Sequence, residues 1–444
     1  MPSNSALFPR NFRKSYPVAV RGEGCWIIDQ EGRRFLDASG QAAVVSIGHG
    51  VAEIGRAMAA QSSQLAFAHT TQFHSEPAEK LAQRLLALAP PNFHAGRVYF
   101  TSGGSEATET AIKLARQFHL ESGEPSRFRV VSRCQSYHGS TLGAMTVSGN
   151  VARRAPYEPL LPEWGHIAPC FCYHCPFDKN FPECGIACAD DLTHFLAKND
   201  AASVAAFIFE PVVGATLGAV VPPDGYAQRI AEICRSRGIL LIADEIMSGM
   251  GRTGKPFAVQ HWNVEPDIIL VGKGIASGYA PLGAVLVAPR VVEAFERGSG
   301  AFQHGCTYQA HPVATAAGNA VLDYIESHKL FDRVTPAAQI LRTELSALQS
   351  HPHVGEIRGL GLLLGVEFVK NKSTRDSFPR EQNIAERFRQ AALDEDVLIY
   401  PAQGCVDGIN GDHILLAPPF IISHQESAQI ARSLHSALQK VFPT

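Results

Sequence analysis

Between residues 95 and 290 the chain alternates short, wholly apolar runs with stretches of helical period, and no other feature constrains its fold as much. In order the runs are RVYF, FRVVS, VAAFIFE, ILLIAD, DIILV and LGAVLVA, with helices expected from Gly104 to about Leu120 and from about Asp224 to Arg237. A strand that is apolar on both faces cannot leave either face in water, so the runs imply a mostly parallel sheet covered by helices on both sides. The fold class is therefore α/β. At 444 residues, 45% of them apolar, the chain exceeds what one core usually holds, and more than one domain is expected.

After about Asn319 the pattern changes. Helices are expected over Val334–Gln349 and Gln382–Leu393, a short sheet at GLLLGVEFV, and a last helix through Lys440 that opens on a capping box of Ser423 and Glu426. This reads as a smaller α+β domain. The first ~60 residues, with the hairpin-like CWIIDQEGRRFLD, are too few to fold alone and are expected to join it. The expected division is thus 1–60 and 326–444 in the small domain and 61–325 in the large one.

Charge narrows the partners. A formal net charge of −3, with no basic block or arm, argues against nucleic acid. No apolar run approaches the ~18 residues of a membrane span, and MPSNSALFPRNFRKSYP lacks the apolar segment of a signal peptide, so the expected location is cytoplasmic, off the membrane. Ten cysteines without a secretory signal read as reduced thiols.

Four motifs carry the chemistry. In TSGGSEATETAIKLAR a strand ends in a small-residue turn and a helix begins; its free amides and the positive helix end suit a phosphate at Gly104 and Ser105, although a plain Ser/Gly cap reads the same way. In SYHGST, Tyr137 can stack on a flat ring with His138 beside it, or the pair can simply pack. In ILLIADEIMSGMGRTG, Asp244 follows an apolar run, so its carboxylate needs a partner, for which a protonated pyridine nitrogen or Arg252 would serve. In VGKGIASGYAPLGAV, Lys273 sits on a glycine turn after IILV, where an ordinary surface lysine is the alternative.

Set in this order along one sheet, the motifs resemble those of the class III (ω-amino acid type) aminotransferases of the fold type I pyridoxal phosphate superfamily. The likeness extends through FEPVVGA and HGCTYQAHPVATAA to RGLGLLLGVE and LLAPPF. It implies a large domain on a seven-stranded sheet and a cofactor, pyridoxal 5'-phosphate. It further implies that Lys273 forms the Schiff base and moves the substrate proton, that Asp244 binds the pyridinium nitrogen, and that Gly104 and Ser105 hold the phosphate. Tyr137 and His138 would lie against the ring, with Val213 on the opposite face, and Glu210 and Met247 would complete the site. Thr307 would reach the phosphate site of a neighbouring subunit, which makes a homodimer, or a dimer of dimers, the catalytic unit. The implied reaction moves an amino group from a primary amine or ω-amino acid to a keto acid, with pyruvate expected; an aminomutase or decarboxylase of the same fold is the alternative.

Three departures mark this chain. Met247 stands where relatives acting on glutamate or ornithine carry Gln, as in amine:pyruvate-like members. No arginine lies between Tyr400 and Phe420, where relatives often grip a substrate carboxylate, leaving Arg153 and Arg154 as candidates and Glu210 without its usual arginine. Finally, PCFCYHCPFDKNFPECGIACADD spaces Cys170, Cys172, Cys175, Cys184 and Cys188, with His174 among them, loosely like zinc ligands; packed free thiols are the leading reading over a structural metal or a disulfide formed under oxidation, so no metal is expected, and a noncatalytic metal-binding or interaction protein is the rival from another class.

Overall fold

A computed structural model describes residues 6–443. Its centre is a seven-stranded sheet in the order Arg97–Thr101, Gly283–Val287, Ile268–Val271, Leu240–Asp244, Val204–Phe209, Arg129–Arg133, His166–Ile167. Only Gly283–Val287 runs antiparallel to its neighbours; the remaining pairings are parallel. Every residue of Val204–Phe209, Leu240–Asp244 and Ile268–Val271 is buried, as their two-faced apolar sequence requires.

Period-two alternation splits those strands between two cores. Ala206, Ile208, Leu240, Ile242, Ile268 and Leu270 face a core closed by Ala107, Ala111, Leu114 and Ala115 of the helix Gly104–Glu121. Phe207, Phe209, Leu241, Ala243, Ile269 and Val271 face the other core, closed by Tyr226, Ala227, Ile230 and Ile233 of the helix Tyr226–Ser236. With helices on both faces, the carboxyl ends of the parallel strands open on one edge, where a ligand site of such a sheet belongs.

Two four-stranded sheets flank this body. Ala19–Glu23, Trp26–Asp29 and Arg34–Asp37 form an antiparallel meander, and Val397–Leu398 pairs in parallel with Arg34–Asp37, so a late strand completes an early sheet. The second sheet, in the order Val354–Leu360, Leu363–Phe368, Asp412–Leu416, Tyr400–Gln403, is antiparallel throughout. The last helix, His424–Val441, opens on the expected capping box: Glu426 N donates to Ser423 Oγ at 3.2 Å, and Ser423 N to Glu426 Oε2 at 2.8 Å.

Sequence reading left several elements unassigned. The helices Ala52–Gln64, Glu76–Leu88 and Pro312–Ser327 carry many alanines and few strong apolar stripes, and the edge strand Tyr400–Gln403 contains Pro401. Among the described residues no helix is long and apolar enough to cross a membrane.

Candidate active site

At the carboxyl edge of the central sheet lies a cavity of about 590 Å³. Gly104, Ser105, Tyr137, His138, Glu210, Asp244, Met247 and Lys273 all line it, although they come from five segments far apart in sequence.

Lys273 follows the strand Ile268–Val271 by two residues and is half-buried. Its φ of 45° lies in the left-handed region, a strained conformation for a lysine that strand, turn and the packed Gly274 together enforce. Burial depresses its ammonium from the usual 10.5 to about 8; the carboxylates of Asp244 and Glu210 oppose that shift, and the guanidiniums of Arg252 and Arg153 add to it. Such a lysine carries about a tenth of its amine free at pH 7, far more than an ordinary lysine, as a nucleophile or proton acceptor requires.

Asp244 ends the strand Leu240–Asp244 and is 4% exposed. One oxygen, Oδ2, lies 2.7 Å from His138 Nδ1, and the other accepts from Ile246 N at 3.1 Å. The imidazole is fixed in turn by its own backbone. Thr108 Oγ1 donates to the His138 carbonyl at 2.7 Å, and the His138 amide donates to Ser148 Oγ at 2.8 Å. With Nδ1 committed to the carboxylate, Nε2 is buried without a partner among the described residues. This pairing, rather than Arg252, answers the buried Asp244 charge: Arg252 donates to the carbonyls of Leu362, Pro418 and Val45.

The helix Gly104–Glu121 begins at the cavity from an extended Gly103, φ 175°, and its first intrahelical-type bond runs from Ala107 N to Gly103 O. The amides of Gly104, Ser105 and Glu106 therefore point out of the helix end, which makes an anion cradle. Gly104 is required by contact: a Cβ there would stand 2.7 Å from Ile246 Cδ1. Ser105 Oγ accepts from Ser140 N at 3.0 Å, and Ser140 Oγ pairs with Tyr137 Oη at 2.9 Å, tying the ring-bearing turn to the cradle.

Glu210 is 7% exposed. Arg133 Nη2 donates to its carbonyl at 2.6 Å but stands 3.9 Å from Oε2, and Oε1 accepts only a long 3.4 Å bond from Gly214 N. Burial pushes its carboxyl up, against the opposing pull of His138 and Arg133. Met247 lines the cavity with its sulfur against Gly214, 2.6 Å from where a Cβ would sit.

Two of the expected residues do not line this cavity. Val213 is buried and bridges Val220, and its neighbour Val212 lines the cavity instead. Thr307 is exposed and outside the cavity of its own chain.

The outer end of the cavity separates the two candidate arginines. Arg154 donates to the carbonyls of Met145, Thr146 and Ser148, at 3.1, 2.8 and 2.9 Å, and pairs with Glu158. Arg153 lines the cavity, stacks over Tyr137 at 4.5 Å and reaches Tyr400 Oη at 3.3 Å, with no carboxylate partner among the described residues. Arg10, Arg380 and Tyr400 line the same end and went unread in the sequence, because each comes from a segment without a motif of its own. The ten cysteines are free thiols, and among the described residues no group of three or more His, Cys, Asp or Glu side chains is placed to hold a metal ion.

Known proteins resemble this chain in sequence and in fold. The family profile described as aminotransferase class-III matches residues 8–438. The uncharacterized aminotransferase YodT of Bacillus subtilis is 36% identical over 430 residues, 96% of each chain. An (S)-enantioselective omega-transaminase from Thermomicrobium roseum superposes with a TM-score of 0.91 at 36% identity, covering 99% of this chain and 97% of the other. An amine transaminase from an uncultivated Pseudomonas species, in its pyridoxal phosphate-bound form, gives 0.90 at 35% identity, covering 99% and 98%.

Proposed function

The chain belongs to the class III aminotransferases, and from that premise we propose that it transfers an amino group from a primary amine or ω-amino acid to a keto acid, with pyruvate as acceptor. Membership makes it a transaminase that uses pyridoxal phosphate. The residues present fit that group. The helix-end amides at Gly104 and Ser105 suit its phosphate, the buried Asp244 carboxylate suits its ring nitrogen, and the depressed amine of Lys273 suits its carbonyl.

When bound, pyridoxal phosphate supplies an electron-accepting ring beside the substrate nitrogen. The chain's own residues do the rest. Asp244, held by His138 and the Ile246 amide, would present its carboxylate to the ring nitrogen and so favour the protonated form of the ring. Lys273 Nζ would hold the cofactor at rest and, once displaced by the amine donor, would take the proton from the donor carbon and return it to the cofactor carbon. Tyr137 and Val212 would bound the ring on its two faces, and the exposed Thr307 would serve the phosphate site of a second copy of the chain.

The observation that carries the substrate reading is Arg153. A guanidinium lining the cavity with no carboxylate partner among the described residues is matched by the carboxylate of a keto acid or ω-amino acid. Its stack on Tyr137 holds its plane in place before substrate arrives. Met247 supports the same reading, since a thioether offers none of the donors that Gln would give. The test is a screen of amine donors against pyruvate and 2-oxoglutarate, following the visible absorbance of the cofactor. Faster turnover with pyruvate is expected; a strong preference for 2-oxoglutarate overturns the acceptor assignment, and turnover without any acceptor would favour a mutase.

A further inference from the structure

Residues 169–191 carry five cysteines and none of the roles above. One wall of the cavity is a loop, residues 210–220, which follows the strand Val204–Phe209 and lends Val212, Gly214, Ala215 and Thr216 to the lining. Beyond the Val213–Val220 bridge and the bonds of the Gly218 and Ala219 amides to Gly214 O, the loop has no ladder, so its pose also depends on what takes its remaining carbonyls. Two buried arginines do most of this. Arg133 Nη2 donates to Glu210 O at 2.6 Å; Arg358 Nε donates to Gly218 O at 2.8 Å and its Nη2 to Leu217 O. His413 Nε2 holds Ala215 O at 2.7 Å.

The cysteine-bearing segment sets both arginines. Arg133 Nη1 donates to Cys170 Sγ at 3.0 Å. The guanidinium of Arg358 lies 4.6 Å from the ring centre of Phe171, and its Nη1 donates to Glu367 Oε2 at 2.6 Å. Glu367 is fully buried, and its second oxygen is bonded to His174 Nε2. Burial would raise the Glu367 carboxyl, but His174 and Arg358 hold it below its ordinary range, so it stays a charged hinge between segment and wall. The fit has no slack, since a Cβ on Gly365 would stand 2.0 Å from Gly218 O.

Resting on the reading of this cavity as the substrate site, we propose that Cys170 and His174 are positioning residues: through Arg133 and through Glu367 with Arg358 they fix the wall 210–218 against which donor and acceptor bind. The segment thus serves substrate fit rather than metal binding. Neither residue touches the site itself. Both are needed because a buried arginine that loses one partner reorients, and the carbonyls it holds move with it.

The experiment uses the holoenzyme. His174→Ala is expected to raise KM for donor and acceptor about tenfold with kcat within about threefold, to leave the visible spectrum of the bound cofactor unchanged, and to speed amide hydrogen exchange in 210–220 but not in 268–275. His174→Gln, which keeps a donor toward Glu367, is expected to restore both readouts. Cys170→Ala against Cys170→Ser makes the same comparison at Arg133 should His174→Ala not fold. Unchanged exchange in 210–220 with KM within twofold overturns the proposal. The exchange measurement decides this even if no keto acid proves to be an acceptor, so failure of the substrate reading is told apart from failure of the clamp.

Discussion

The inner and outer ends of the cavity are built by opposite means. At the inner end Asp244 and His138 are 4% and 2% exposed, each tied to backbone, and Lys273 stands on a strained turn between packed strands. At the outer end Arg153 is exposed and held by one stacking contact and one 3.3 Å bond, beside residues from segments around 10, 380 and 400. Burial makes each inner charge expensive to leave unpaired, so positions there tolerate little change. The outer end works in high dielectric, where a single charge contributes little and can be exchanged. On the proposed assignment, chemistry belongs to the first setting and substrate choice to the second.

The contrast predicts a gradient of effects. Lys273→Ala comes first: turnover should fall by at least about 10³-fold, since in the proposed mechanism one amine is both attachment point and proton carrier. Steady-state rates with any donor would measure it, and a loss under tenfold would mean that the inner end is not where the chemistry occurs. Asp244→Asn follows, with a loss of about 10²-fold for a neutral group of the same shape.

That second variant also carries a titration test. The lysine amine sits near 8 because burial disfavours its charged form, while Asp244 favours it. The rate of Lys273 carbamylation by cyanate in cofactor-free protein, read by mass spectrometry, should therefore rise with pH through about 8 and then level, well before an ordinary lysine does at 10.5. Removing the Asp244 charge takes away support for the ammonium, so the midpoint should move lower. A midpoint that stays near 10 in both proteins would show that Lys273 is solvated and that the inner end is less closed than its geometry indicates.

The same gradient explains what could be read from sequence. Lys273, Asp244, Gly104 and Ser105 each sit at a strand end or a helix start, and Tyr137 and His138 in the short turn after a strand, so a few adjacent residues carry the local physics: an apolar run, a glycine, a polar side chain. The two-faced strands were legible for the same reason. Partnership was not. That Asp244 is held by His138, 106 positions earlier, and that Arg252 is spent on three carbonyls, are facts of packing. Val213 shows the limit at finer grain: motif position cannot say which of two adjacent valines lines the cavity, and in the structure it is Val212. Of the outer end, assembled from four distant segments, only Arg153 was legible, and then not apart from Arg154.

The smallest effect separates two adjacent arginines that sequence could not tell apart. Arg153→Gln should raise KM for carboxylate-bearing substrates about five- to tenfold, near the upper worth of an exposed ion pair, with KM for a simple amine such as isopropylamine unmoved. Arg154→Gln removes a guanidinium bonded to three carbonyls and should instead cost about 2 kcal/mol of stability in denaturant unfolding, with KM little changed. If the two variants behave alike, the outer end is only a structural rim, and the carboxylate is gripped by Arg10, by Arg380 or by a second copy of the chain. If only Arg153→Gln moves KM, and only for acids, then substrate choice resides in a residue that can be exchanged without disturbing the buried groups that do the chemistry.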